Sequence, residues 1–373
     1  MKDTVLQQTP DLFLGQDGSR IRTPAEWNRG KPALRQLIAD VEYGCMPPEP
    51  EYFKFETCNA GSGIQIQTCK ITAGTHEKQL SFELRMFLPK REGRMPVVLT
   101  GDGCYRTMND AVIAEINARG FIAASFDRTM IVRNVYTREE AKDSPLYRVY
   151  PQIESGTIAG WAWGFLRCVD ALAQMPFVDA DNIAVTGHSR GGKTALLAGA
   201  LDERIAYVAP NGSGGGGTAS WRYSMTGYEG PEFEDPRSET LAGMLDMIPH
   251  WFGPKMAEYR DREGLLPFDQ HHLMALVAPR VLLDTEGYGD IWSNPKGSRQ
   301  ALLAARELYR LFGAEANIVS RYRPGFHDHS PADFRALLDV MECKIAGKPL
   351  DAAFYEDPYP GMEPAFGWRC PAE

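Results

Sequence analysis

Ser189 stands at the centre of Gly187-His188-Ser189-Arg190-Gly191, a G-x-S-x-G run. A serine hydroxyl is a poor nucleophile near neutral pH. It needs a base within hydrogen-bond reach, and the base needs a third group to orient it. The run predicts that arrangement only if it sits on a sharp strand-to-helix turn. The flanks agree. Residues 183–186 form an apolar β-type stretch, and residues 194–200 are the small and Leu-rich residues of a helix packed on a sheet. Glycines two positions either side of the serine let neighbouring backbone come close. The chemistry expected is nucleophilic acyl transfer.

In the α/β-hydrolase order the acid and then the histidine follow the serine. The chain has 7 histidines. His76 comes too early, His188 is beside the nucleophile, and His250, His271 and His272 fall in a long insertion. His327 and His329, in GFHDHSP, follow the last expected strand and precede a helix capped at Ser330-Pro331. One of these two is the expected base. The acid is expected after a strand at residues 279–283, in DTEGYGDIWSNPKG. Asp284 lies at the strand end, where it caps the loop. Asp290 lies deep enough to reach the histidine and is the first choice; Glu286 is the second. For the oxyanion, the elbow supplies the backbone N–H of Arg190. A second donor comes from Gly103, Cys104 or the Arg190 guanidinium.

The elements that must position these groups alternate. After a helix at residues 24–43, opened by the capping-box run Thr23-Pro24-Ala25-Glu26, three β-type stretches read antiparallel: 52–58, 63–72 and 79–88. Residues 79–88 alternate apolar and polar. The continuous apolar run 96–100 reads as a buried parallel strand. Strands at 121–126, 205–209, 279–283 and 317–322 then alternate with helices at 159–174, 296–312 and 331–346. The pattern predicts an α/β-hydrolase three-layer sandwich, a mostly parallel mixed sheet with helices on both faces. Residues 1–50 read as an arm without a binding role, 51–346 as one domain, and 347–373 as a wrapping tail. The insertion 211–270 is rich in glycine and aromatics and reads as a lid or substrate platform.

Composition narrows the partners. The chain of 373 residues is 43% hydrophobic and 24% charged with a net charge of -9, which argues against a nucleic-acid surface. Its 7 cysteines include no C-x-x-C, so zinc and thioredoxin-type sites have no support; no metal or organic cofactor is expected. No apolar run is long enough to cross a bilayer. Residues 1–20 carry no secretory leader pattern, so the chain reads as cytoplasmic unless a leader lies upstream.

GHSRGGKTAL, NGSGGGGTASWR, PHWF, LPFDQHHLMALVAPR, DIWSNPKG and GFHDHSP occur in that order. Together they resemble the glucuronoyl esterases, a carbohydrate esterase family that cleaves esters joining 4-O-methyl-glucuronate of xylan to lignin alcohols. The front end, with AEW and EYGCMPPEP, resembles the bacterial branch. The resemblance implies Ser189 as nucleophile, Arg190 as oxyanion-stabilising arginine, Lys193 on sugar hydroxyls and Trp292 against the sugar ring. Fungal members bridge a cysteine beside the nucleophile to one beside the histidine. Here those positions are His188 and Ser330, which places the base on His329 rather than His327. The fungal acid follows the sixth strand in Q-E-S-G-S-G-G; here Asn211-Gly212-Ser213-Gly214 takes its place, so the acid passes to Asp290. Glu239 is the candidate for the family's further sugar-binding acid. The expected activity is a serine-dependent glucuronate ester hydrolase. An acetyl xylan or other small-ester hydrolase is the second reading, and a non-catalytic acidic-sugar binder the third.

Overall fold

Burial along the strands divides the sheet into two kinds. Gln79–Phe87 alternates exposed and buried residues, with Leu80, Phe82, Leu84 and Met86 inward, whereas Met95–Thr100 is buried throughout. One-sided burial is the mark of an antiparallel flank and two-sided burial of a parallel centre covered by helices. The computed structural model describes residues 4–5, 8–60, 65–226 and 238–371.

The chain opens with β1 (Thr4–Val5) and α1 (Pro24–Ile38), where Thr23 and Glu26 cap one another reciprocally. The sequence predicts helix to residue 43. The last turn, Ala39–Tyr43, instead widens into a π-helix that ends at Gly44, whose φ is 77°. A Cβ on Gly44 would lie 2.1 Å from the Glu154 carbonyl oxygen, so only glycine fits. Strands β2 (Tyr52–Ala60), β3 (Ile66–Gly74) and β4 (Gln79–Phe87) follow as an antiparallel meander. Next come β5 (Met95–Thr100), α2 (Asp110–Ala118), β6 (Ile122–Phe126), the short α3 (Arg138–Lys142) and α4 (Pro145–Val149), and α5 (Thr157–Leu172). The nucleophile unit is β7 (Val178–His188) and α6 (Arg190–Leu201). After β8 (Ile205–Asn211), the insertion contributes β9 (Tyr223–Ser224) and α7 (Leu241–Met247), and α8 (Gln270–Ala275) follows at its end. The chain closes with β10 (Val281–Gly287), α9 (Pro295–Leu311), β11 (Ile318–Arg323) and α10 (Pro331–Ile345).

Among the described residues the main sheet runs β11-β10-β8-β7-β5-β6-β4-β3-β2. It is parallel from β11 to β6 and antiparallel from β6 to β2. Along β7, Ile183 and Val185 join the core beneath α5, α6, α8 and α9, while Ala184 joins the core beneath α2 and α10. The three-layer α/β-hydrolase sandwich expected from the alternation is therefore the fold. Helix α2 has no counterpart in the sequence reading.

Both ends of the chain pack onto this body. Trp368 donates its indole N–H to the Thr9 carbonyl at 3.0 Å and meets Phe13 edge-on, and Arg299 of α9 pairs with Asp357. Phe13 is wholly buried; covering a side chain of that kind is worth about 2–3 kcal/mol. The insertion is less of a loop than its composition suggests, because β9 pairs with β1 and α7 is capped by Thr240.

Candidate active site

The turn between β7 and α6 shows why each glycine of the G-x-S-x-G run is required. A Cβ on Gly187 would lie 2.4 Å from the Gly191 carbonyl oxygen, and one on Gly191 would lie 2.1 Å from an Asp102 carboxylate oxygen. Between them Ser189 is held at φ 54° and ψ -120°, a left-handed conformation costing a non-glycine residue about 1–3 kcal/mol. Hydrogen bonds hold it there. The Ser189 N–H donates to the Asn211 carbonyl at 2.9 Å, and the His188 N–H donates to Asp102 at 2.7 Å. Asp102 is buried and paired with the equally buried Arg128. The hydroxyl thus stands at the carboxyl end of the parallel strands, where ligands bind in folds of this kind.

Two loops from the sheet's end converge on each other next to the nucleophile turn, where the His327 ring faces that of His188. The Gly289 N–H donates to the Gly325 carbonyl and the Tyr288 N–H to the Arg323 carbonyl, each at 2.8 Å. A Cβ on Gly289 would lie 2.9 Å from the Gly325 carbonyl oxygen. So close an approach brings Asp290 to His327, with Nδ1 2.6 Å from Oδ2. The carboxylate is buried and further held by Ser293, whose backbone N–H reaches Oδ1 at 3.2 Å and whose hydroxyl reaches Oδ2 at 2.6 Å. With Nδ1 engaged, the other ring nitrogen of His327, Nε2, is the one left for proton exchange. The ring itself lies 4.4 Å, centroid to centroid, from that of His188.

His329 lies farther off, its ring 6.1 Å from that of His188. Its ring stacks on Phe334 of α10 at 4.0 Å, and its Nδ1 is a buried atom with no hydrogen-bond partner. Burial, then the neighbouring His188 and Arg323, hold it well below the usual imidazole range. The expectation that favoured His329 over His327 is therefore not matched by the geometry. The loop contacts pin the acid to the first half of GFHDHSP, and two residues later the chain has already turned into the cap of α10.

The acids also sort themselves. Strand β10 runs on to Gly287 rather than ending at 283, so Asp284 and Glu286 are strand residues and not loop residues. Both side chains are wholly buried. Asp284 accepts from the Tyr322 hydroxyl at 3.1 Å instead of capping a loop, and burial raises it to about 7. Glu286, the alternative acid, accepts from the Ser298 hydroxyl at 2.9 Å. Burial, then the charges of Asp284 and Asp290, push it well above the carboxylate range. It makes no hydrogen bond to either histidine of the loop among the described contacts.

His188 is neutral by construction. Asn211 donates its amide N–H to Thr285, so its oxygen faces His188 and accepts from Nδ1–H at 2.7 Å. Burial first, then proximity to His327, lower this histidine to about 4.

Of the oxyanion donors considered, the Gly103 N–H is already engaged by the Phe126 carbonyl at 3.0 Å. The Arg190 N–H belongs to the first turn of α6, where no intrahelical acceptor exists. The Arg190 guanidinium donates to Asn134 Oδ1 at 2.8 Å and lies 4.8 Å from the Trp251 ring centre.

Beside the serine, Lys193 is buried and donates to the Ser213 carbonyl at 2.6 Å and to Glu239 Oε2 at 2.9 Å. That oxygen also accepts from the Gly215 N–H at 2.8 Å. The Glu239 N–H donates to the Trp292 carbonyl at 2.9 Å. Lys193, Glu239 and Trp292 are thus brought together, with Trp292 half-buried. The glycine run exists for this: at Gly214, with φ 60°, a Cβ would lie 2.1 Å from Glu239 Oε2.

Sequence reasoning assigns no task to Asp102, Asn134, Asn211, Ser293 or Glu42. Ser293 carries a signal, because a serine three residues after an acid is a frequent local turn partner. Glu42 opens the quoted run EYGCMPPEP in the arm, with nothing local to mark its partners, yet accepts from Gln270 at 2.8 Å and Trp221 at 3.2 Å. Next to it, the Tyr43 hydroxyl donates to the Gly216 carbonyl at 2.9 Å. The arm, read from sequence as having no binding role, thus braces the glycine loop. Among the described residues no cluster of His, Cys, Asp and Glu is arranged to hold a metal ion, and no helix is long and apolar enough to cross a membrane.

Residues 71–313 match the family model described as "Glucuronyl esterase, fungi". A curated 4-O-methyl-glucuronoyl methylesterase of Phanerochaete carnosa is 27% identical over 359 residues, covering 93% of this chain and 83% of its own. The corresponding enzyme of Hypocrea jecorina is 28% identical, covering 97% and 75%. Among solved structures, a carbohydrate esterase family 15 glucuronoyl esterase from Caldicellulosiruptor kristjansonii aligns with a TM-score of 0.83 at 30% identity, over 97% of this chain and 96% of the other.

Proposed function

The chain belongs to the glucuronoyl esterase family, and we propose that Ser189, His327 and Asp290 together hydrolyse carboxylic esters of 4-O-methyl-glucuronate. The observation that carries the site assignment is the 2.6 Å hydrogen bond between His327 Nδ1 and a buried Asp290, beside a serine strained at the head of α6. The substrate class rests on the names of the relatives, curated as 4-O-methyl-glucuronoyl methylesterases.

Each group has a physical task. Asp290 accepts the Nδ1 proton and so fixes the tautomer that leaves Nε2 basic. Ser189 Oγ attacks the ester carbonyl carbon as Nε2 takes its proton. The tetrahedral oxyanion is met by the Arg190 N–H and guanidinium. The imidazolium then returns the proton to the alkoxide, which leaves as the alcohol, and the glucuronoyl group stays on Oγ. Water, deprotonated by the same nitrogen, attacks that acyl-enzyme; release of the uronic acid restores Ser189. Lys193 and Glu239 form a polar wall for sugar hydroxyls, and Trp292 offers a flat apolar face to a pyranose ring. His188 supports the His327 ring and, being neutral, adds no charge that would oppose the imidazolium.

The test is hydrolysis of methyl 4-O-methyl-glucuronate beside p-nitrophenyl acetate, with Ser189→Ala as the control. A higher kcat/KM on the glucuronate ester, lost in the variant, is expected. Preference for the acetyl ester would overturn the substrate assignment and leave the serine chemistry standing.

A further inference from the structure

The buried arginines among the described residues are tied to carboxylates: Arg128 to Asp102, Arg167 to Asp170, Arg222 to Asp269, Arg299 to Asp357. Arg190, next to the nucleophile, is held differently. Its Nη1 donates to the amide oxygen of Asn134 at 2.8 Å, and among the described ion pairs it has no carboxylate partner. Its guanidinium carbon lies 4.8 Å from the ring centre of Trp251 and 5.9 Å from that of Tyr105. The amide cannot turn over without loss, because Asn134 Nδ2 donates to the Tyr105 hydroxyl at 2.7 Å. Trp251 is fixed in turn by an edge-on contact with Trp161 and by Arg138, which holds the Pro249 and Phe252 carbonyls on either side of it. The cation is thus caged by two aromatic rings and a neutral amide.

The choice of a neutral partner has an electrostatic consequence. A carboxylate at the same spot would accept the same N–H but would largely cancel the guanidinium's field at the neighbouring oxyanion, where low dielectric strengthens every charge. An amide orients the group through one hydrogen bond and leaves its unit charge directed elsewhere. We propose that Asn134 is a positioning residue for ester hydrolysis, orienting Arg190 without neutralising it, so that the full cation meets first the oxyanion and then the carboxylate of the released uronic acid. The proposal rests on the reading of Arg190 as the oxyanion-stabilising group.

The decisive variant is Asn134→Asp, assayed on methyl 4-O-methyl-glucuronate with Asn134→Ala and Arg190→Gln alongside. If Asn134 only props the loop, the aspartate variant serves as well or better, since it makes the same contact and adds a charge pair. If the neutral partner matters, kcat falls by roughly 10-fold or more in the aspartate variant, a part of what losing an oxyanion donor costs. KM stays within about 3-fold and the Tm is unchanged or raised. Inhibition by free 4-O-methyl-glucuronic acid weakens in parallel, because the product carboxylate meets a neutralised site. Asn134→Ala loses kcat through a loosened guanidinium, and no effect of Asn134→Asp remains in an Arg190→Gln background. Wild-type kcat in Asn134→Asp together with a large loss in Arg190→Gln overturns this proposal alone. Wild-type kcat in Arg190→Gln overturns the oxyanion reading and this proposal with it.

Discussion

The imidazole of His188 lies 4.4 Å from that of His327, ring centre to ring centre, with its own Nδ1–H bonded to Asn211. A residue adjoining the nucleophile thus forms the floor under the histidine that meets Asp290. Replacing it removes that floor and leaves the Asn211 oxygen buried without a donor. His188→Ala is expected to lower kcat by about 10-fold and to cost about 1–3 kcal/mol of stability, the penalty for an unsatisfied buried polar group. Steady-state kinetics and urea unfolding on the same preparation check both; full activity would remove the supporting role.

Buried acids and buried histidines impose opposite pH dependences on stability. Glu42 is raised to about 8 by burial, from 4.5 in the unfolded chain. The folded state therefore holds a proton that the unfolded state releases. That contribution is complete below about 4.5 and is lost as the pH climbs towards 8, at up to ~1.4 kcal/mol per pH unit. His188, lowered to about 4, works the other way: its protonation penalises the folded state as pH falls from 6.5 towards 4. Between pH 6.5 and 8 the acids act alone. Wild-type stability is expected to decline over that window, and Glu42→Gln, which keeps a hydrogen-bonding head group of the same shape, is expected to decline less. Parallel declines by urea titration would show that Glu42 is ionised when folded.

The two candidate acids, Asp290 and Glu286, are expected to part company on mutation. Asp290→Asn removes the acceptor that sets the His327 tautomer, and a loss of ~10⁴-fold in kcat is expected. Glu286→Gln replaces a carboxyl that burial keeps protonated by an amide of equal size; kcat is expected to stay within about 3-fold, since its hydrogen-bond partners are the Ser298 and Thr218 hydroxyls and not a histidine. A large loss in Glu286→Gln would make that acid part of the proton path.

Lys193 and Glu239 test whether the buried pair is structure, sugar wall or both. Removing one partner strands a buried charge, so Lys193→Ala is expected to cost about 3–5 kcal/mol. The double variant Lys193→Met with Glu239→Gln strands none. It is expected to fold with a Tm near wild type while KM for the glucuronate ester rises by about 10-fold or more. An unchanged KM would make the pair purely structural.

Much of the scaffold is legible in the chain because period and order survive any packing detail. The alternating run 79–88 and the continuous run 96–100 announce the two kinds of strand, and the glycines flanking Ser189 announce the elbow. Strand ends are less legible: Asp284 and Glu286 are polar residues inside β10, and nothing local says that the strand continues through them. The choice between His327 and His329 is not legible at all. Residues two apart in a loop face different neighbours, and which one meets the acid is decided by the Gly289 contact with Gly325, a pairing of distant segments. The same holds for Asn134, which no quoted run contains, and for Glu42, whose run EYGCMPPEP says nothing of the distant Gln270 and Trp221 that it meets.

Proton transfer by His327 is the step on which the rest of the chemistry depends. His327→Gln and His329→Gln, prepared together and assayed for kcat on methyl 4-O-methyl-glucuronate with folding checked by circular dichroism, compare the two histidines in one experiment. A loss of at least ~10³-fold in His327→Gln against a loss below about 10-fold in His329→Gln is the expected result, as removal of a triad member requires. The reverse order, in two folded proteins, would contradict the assignment and move the base to the residue now stacked on Phe334.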